Sequence, residues 1–183
     1  MPLRVTNAFE PEDPGTLIDD KPAENPAVEI VTGLDIIALE VFEQDMVGVK
    51  GYDAAILDVL TRHDVRIVSK VSNANTITHY VDASLSTMRR VEKDLEKHYP
   101  SAQITSRTLA MASVIGRDLN GLSVLQRGLV AIADGGLEAI GATQGPRNVD
   151  VQFILERDIL KPVIKALHKT FIEDSSPAIQ KAA

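Results

Sequence analysis

The sequence contains no cysteine and no tryptophan. The first absence removes disulfides, thiolate nucleophiles and thiolate metal ligands. The second, with aromatic residues at only 4%, means that the core must be built from Ile, Leu, Val and Ala. Positive charge is also short: 19 Lys and Arg stand against 26 Asp and Glu, a net charge of −7. That disfavours a nucleic-acid surface, where clustered cations neutralise phosphates, and binding to an anionic membrane. No apolar run approaches the ~20 residues that span a bilayer. No basic start followed by an apolar segment marks a secretory signal, so a cytoplasmic location is the expectation. The histidines are scattered: His63 and His98 end predicted helices, His79 lies in a strand and His168 on a helix flank. None has a partner at metal-site spacing, so no metal is expected.

What is present suits a soluble globular protein. The 183 residues are 44% hydrophobic and 25% charged, enough for one domain or two small ones. Met1–Val5 reads as a short strand. Asn7–Ala27 holds four prolines and many acids and reads as an extended linker or arm. Val28–Thr32 is a β-prone run that Gly33 separates from the next strand, Ile36–Phe42. Tyr52–His63 carries Ala55, Ile56, Val59 and Leu60 at helical spacing. Val65–Val71 and Thr76–Val81 flank the turn Ser72–Asn75 as a hairpin. Ser86–Tyr99 is helical, with Met88, Val91 and Leu95 on one stripe, Ser84 or Ser86 as cap and Pro100 after its end. Ala102–Gly116 reads as two strands end to end. Leu122–Asp134 is a helix with Leu125, Leu129 and Ile132 inward, ended by Gly135-Gly136. Leu137–Thr143 and Asn148–Leu155 are strands. Asp158–Phe171 is a helix with Leu160, Ile164, Leu167 and Phe171 on one face, and Pro162 is tolerated in its first turn.

The stretch Ile36–Gly51 and the helix after it organise the chain. A strand ends near Gln44-Asp45, a loop with two glycines follows, and a helix begins at Tyr52. Backbone N–H groups at such a helix start can receive an anion, for instance an amino-acid carboxylate. The competing reading is a tight connection whose glycines serve only geometry. The pattern returns: setting Asp45 on Asp118 also sets Met46 on Leu119, Gly48 on Gly121 and Ile67 on Ile140. The order strand-helix-strand-strand-helix matches throughout, which means tandem domains. Each unit is βαββαβ, the split βαβ arrangement of an α+β fold. The second unit lacks a fourth strand after its last helix, and Val28–Thr32 is spare. The early strand is therefore expected to complete the second sheet, with the first unit inserted into the second.

Tandem units of this spacing resemble the paired ACT domains at the regulatory end of aspartate kinases, and the likeness covers residues 2–173. Leu3–Ile18 is similar to the stretch where that family's catalytic domain hands over to its regulatory domain. Met46–Val81, with Ser72–Tyr80 (SNANTITHY), looks most like the subgroup associated with ectoine biosynthesis. The resemblance implies two ferredoxin-like ACT units, unit 1 over 36–106 and unit 2 over 28–33 plus 107–173, with 1–27 as hand-over segment and 174–183 as tail. It implies a part in the ATP-dependent phosphorylation of L-aspartate to 4-phospho-L-aspartate. No kinase motif is found, and the G-V-K-G of Gly48–Gly51 is too short to wrap a triphosphate. ATP and Mg would belong to a kinase domain, the chain alone is expected to be inactive, and it is read as either a fragment or a separate regulatory subunit.

In the family an amino-acid effector lies where the strand–loop–helix of one ACT unit meets another unit. Carried over residue by residue, the loop is Met46, Val47, Gly48, Val49, Lys50 and Gly51, followed by Asp53 and Ala54. The facing strand supplies Ile67, Val68, Ser72 and Asn73, and Asp45 and Asp53 are nearby acids for an ammonium. The sequence departs from the pattern: Gly48 stands where members that bind threonine or lysine commonly carry an acid, and Val68 and Ala74 stand where lysine-sensing members carry acids. An ε-ammonium buried without an acid is costly, so lysine is disfavoured and threonine preferred. Partners expected are this effector, a second copy and a catalytic subunit. The alternative of a different class is a purely structural ACT pair that dimerises without binding an effector.

Overall fold

A computed structural model describes residues 2–18 and 26–174. Its main body is one six-stranded antiparallel sheet. A separate hairpin precedes it, β1 (Leu3–Val5) pairing with β2 (Thr16–Ile18). The linker reading of 1–27 missed β2, a strand of only three residues inside a proline- and acid-rich stretch.

The remaining elements are β3 (Ala27–Phe42), α1 (Tyr52–Arg62), β4 (Arg66–Ser72), β5 (Thr76–Asp82), α2 (Leu85–His98), β6 (Gln103–Arg117), α3 (Val124–Asp134), β7 (Gly141–Gln144), β8 (Asp150–Leu155) and α4 (Leu160–His168). Across the sheet the strands run β4-β5-β3-β6-β8-β7.

Two strands are shared between the units. The second half of β3 pairs with β5 and with the first half of β6, from Ile37↔Val81 and Ile36↔Leu109 onward. The first half of β3 pairs with the second half of β6, for example Val31↔Val114 and Gly33↔Ala112. Unit 1 is thus β3–α1–β4–β5–α2–β6. Unit 2 is β6–α3–β7–β8–α4, closed by the start of β3. The early strand completes the second sheet and the first unit is inserted into the second, two ferredoxin-like ACT units in one sheet.

The strand breaks expected at Gly33 and inside Ala102–Gly116 do not occur. Gly33 continues the ladder, and it is needed because α4 lies directly on it. A Cβ there would meet Ile164 Cδ1 at 2.6 Å and Leu160 Cδ1 at 2.8 Å.

One face of the sheet carries the helices. Ile37, Leu39 and Val41 of β3 with Ile77 and Val81 of β5 pack on Ile56, Val59 and Leu60 of α1 and Met88, Val91 and Leu95 of α2. Ala112 and Val114 with Val151, Phe153 and Leu155 pack on α3 and α4. On α3 the buried positions are Val124, Gly128 and Ile132, while Leu129 is exposed. The expected stripe is rotated because the Phe153 ring lies on Gly128, 2.4 Å from where a Cβ would sit. Ile36, Ala38, Leu109, Met111 and Ile154 form a smaller cluster on the other face, with Val68 and Tyr80 against it. Among the described residues no helix is long and apolar enough to cross a membrane.

Candidate functional site

The loop before α1 is built in three steps. The strand ends at Glu43, whose backbone N–H donates to Asn75 O at 3.0 Å, tying the loop to the β4–β5 turn. A single 3-10 turn, Gln44–Met46, follows and buries Met46 in the unit 1 core. Gly48 and Gly51 then take positive φ angles of 80° and 82°, which glycine adopts without steric cost. Gly51 is the N-cap of α1 and supplies no side-chain cap. The N–H groups of the first helical turn have no intrahelical partner, so here they are left to an outside acceptor.

A cleft of about 280 Å³ opens at this helix start. It is lined by Met46, Gly48, Val49, Gly51, Tyr52, Asp53, Ser72, Asn73, Ala74 and Ile77. The fold therefore brings together seven of the residues expected from the sequence: Met46, Gly48, Val49, Gly51, Asp53, Ser72 and Asn73. The other six do not line it. Asp45, Val47, Lys50 and Ala54 are exposed around the loop. Ile67 is on the edge strand further along, and Val68 packs on the opposite face of the sheet. A bulge between Ile67 and Ser69 causes this separation, since an extra residue shifts the alternation of side chains. The turn at Asn73 is self-satisfied: its side-chain oxygen accepts from Asn75 N and Thr76 N at 3.1 and 2.9 Å. Only its amide group is left to face the cleft.

Behind the cleft lies a polar layer that sequence reading did not assign. Tyr52 stacks on Tyr99 with ring centroids 4.0 Å apart, and Tyr99 Oη donates to Tyr52 O at 2.9 Å. The end of α2 thereby buttresses the start of α1. The Tyr52 hydroxyl is buried without a partner. Burial, and then the nearby Glu43 carboxylate, push its pKa up to about 12, so it stays protonated. Glu43 is itself buried, with Oε2 unpartnered.

Asp53 faces two bases. Its Oδ2 accepts from Lys70 Nζ at 2.5 Å, and its Oδ1 lies 3.3 Å from His79 Nε2. The second contact is a proximity without hydrogen-bond alignment, because neither His79 ring nitrogen nor Asp53 Oδ1 has a hydrogen-bond partner. His79 is wholly buried. Desolvation lowers its pKa, Asp53 acts to raise it, and Lys70 adds to the lowering. The cross-strand pair Lys70↔His79 was the available sequence signal, legible only once the bulge is known.

The matching loop of unit 2 is different. A Cβ on Gly121 would meet Asp118 Oδ2 at 2.9 Å, whereas nothing lies within 4 Å of Gly48 or Gly51 in that direction. Within the chain the unit 1 cleft is not at the seam between the units. It sits beside β4, at one edge of the sheet, while the units meet at β3 and β6. Among the described residues no group of three His, Cys, Asp or Glu could hold a metal.

Fold and site together define the class: a tandem ACT fold with an open helix-start cleft in its first unit. No family model matches the chain. Over 173 residues it is 39% identical to aspartate kinase Ask_Ect of Stutzerimonas stutzeri (strain A1501), an alignment covering 93% of this chain and 36% of that protein. Among solved structures, E. coli aspartokinase III in complex with lysine and aspartate matches with a TM-score of 0.69 at 17% identity, over 93% of this chain and 39% of that one. The regulatory subunit of aspartate kinase from Thermus flavus matches with a TM-score of 0.67 at 16% identity, over 79% of this chain and 99% of that one. Over the matched residues the chain is similar in sequence to an aspartate kinase, and its fold is that of the regulatory subunit of another. The chain spans about a third of the length of the curated relatives it matches.

Proposed function

We propose that this chain senses an amino acid on behalf of an aspartate kinase, binding it in the cleft at the start of α1. The observation that carries the reading is the cleft itself, where uncapped helix amides meet Ser72 and Asn73 over an apolar floor of Met46 and Ile77. Helix-start amides suit the effector's carboxylate. The open space at Gly48 and Gly51, against the filled loop at Gly121, favours unit 1 over unit 2. The effector class favoured is an amino acid such as threonine. Binding shifts an aspartate kinase that uses ATP, with its Mg, and L-aspartate in the pathway leading towards lysine, threonine, methionine or ectoine. The residues that would hold ATP belong to a catalytic region.

The cleft lies beside the edge strand β4, where a second chain would supply a further wall. Val47 and Val49 are exposed beside it, at 61% and 55%, and among the described residues the outer backbone groups of β4 have no strand partner. A second copy set edge to edge against β4 completes the site and gives the effector its leverage: a ligand held by both copies favours the arrangement in which both walls are present.

A structural reading, dimerisation without an effector, is favoured by the absence of acids at Gly48, Val68 and Ala74 and by Val68 facing away from the cleft. Titration calorimetry with threonine, methionine, lysine and ectoine, beside sedimentation of the chain, separates the two. Saturable heat from at least one amino acid supports the sensor. A dimer silent to all of them overturns it in favour of the structural reading.

A further inference from the structure

We infer that Lys70 is a built-in counter-cation for Asp53 that restricts the cleft to amino acids with uncharged side chains. The inference rests on the effector-site reading above and names the class of ligand that site accepts. Asp53 is the acidic side chain among the residues lining the cleft. Asp45 points to solvent outside it, and Glu43 is buried behind Tyr52. Within one copy, Asp53 is therefore the acid open to a ligand's cationic side chain.

Asp53 is already engaged. Lys70 Nζ holds Oδ2 at 2.5 Å with both side chains about two-thirds buried, 38% and 31% exposed. The bulge between Ile67 and Ser69 is what makes this geometry. It sets Lys70 opposite His79 and Ser72 opposite Ile77, so Lys70 and Ser72 share the helix side of the sheet. With unbroken alternation Ser69 would stand opposite His79 and Asp53 would lack its lysine. His79 cannot substitute as the cation, since burial keeps its imidazole in the neutral form.

A free ammonium gains nothing by exchange here. It would replace one ammonium on Asp53 by another and leave Lys70 without its acid. It also competes with a tethered partner whose effective concentration is on the order of millimolar. A neutral side chain meets no such competition, because it rests on Met46, Val49 and Ile77 and leaves the ion pair in place. The α-ammonium and α-carboxylate are common to all amino acids and do not discriminate.

The test is titration calorimetry of the full chain and of Lys70→Met, Lys70→Arg and Lys70→Met/Asp53→Asn, with L-threonine and L-lysine, after urea melts establish that each variant is folded. Lys70→Gln replaces Lys70→Met if the latter is not. The wild type should bind L-lysine at least tenfold more weakly than L-threonine. Lys70→Met should gain at least tenfold for L-lysine, Lys70→Arg should behave as wild type, and the double variant should lose the gain. No gain in Lys70→Met, or an equal gain in Lys70→Arg, overturns the role of Lys70. Threonine binding to the wild type with no lysine gain in Lys70→Met leaves the effector site standing without this inference. A lysine gain in Lys70→Met, when no neutral amino acid binds the wild type, supports the ion-pair role and removes the sensor reading.

Discussion

Replacing Gly33 by Val tests the shared strand where it is most exposed to failure. Gly33 belongs by sequence to the segment before unit 1, yet it packs under α4 of unit 2. A Cβ would sit 2.6 Å from Ile164 Cδ1 and 2.8 Å from Leu160 Cδ1, well inside van der Waals contact, and valine adds two further methyl groups. Overpacking of this kind costs about 1–3 kcal/mol. Valine's better strand propensity returns at most about 1 kcal/mol, so the net loss should be about 1–2 kcal/mol. The touching atoms are ends of flexible side chains, so removing one should give relief. Leu160→Ala alone should cost about 1–2 kcal/mol, less than a fully buried leucine would, since Leu160 is half-buried. The double variant should be more stable than the sum of the single losses by about 0.5–2 kcal/mol. Urea unfolding of the four proteins measures all of this. Strict additivity, or a neutral Gly33→Val, would refute the placement of the early strand beneath α4 and with it the inserted topology.

Other predictions concern the core and the loop. His79 has a folded-state pKa below the ordinary value because it is buried. As pH falls below about 6.5, the unfolded chain takes up a proton that the folded chain refuses. Stability should therefore decline with a slope of up to about 1.4 kcal/mol per pH unit. In His79→Leu that part of the slope should vanish in urea melts taken between pH 7 and 5, and an unchanged slope would contradict it. Gly51→Val forces a β-branched residue to φ 82°, at about 1–2 kcal/mol. It should weaken effector binding at least tenfold by calorimetry even though its Cβ meets no neighbour. Gly128→Ala gains about 1 kcal/mol of helix propensity but drives a methyl into the Phe153 ring. The variant should melt below the wild type, and a higher Tm would show that the ring moves freely.

Much of the fold was legible. Periodicity located α1, α2 and the β4–β5 hairpin, and the count of strands against helices required the early strand to close unit 2. What stayed hidden was non-local. The fusion of two strands at Gly33 depends on what lies over the glycine, since locally a glycine reads as a break. The rotation of α3 depends on Phe153, from another strand. The three-residue β2 is too short to show alternation. At the site, loop geometry was readable because two glycines before a helix restrict the backbone. The partner of Asp53 was not readable, because it is set by a bulge in β4 and by a register between strands. Glu43 and the Tyr52–Tyr99 stack escaped for the same reason: each matters only through a neighbour distant in sequence.

The loop before α1 is proposed to hold an amino acid. Amide chemical-shift mapping of the chain during addition of L-threonine tests it most directly. Saturable shifts should centre on Gly48–Ala54 and Ser72–Asn73, with the unit 2 loop at Asp118–Gly121 unmoved. Absence of shifts with any amino acid, or shifts centred instead on the crevice lined by Asp35, Asp82 and Arg157 between the units, would contradict it.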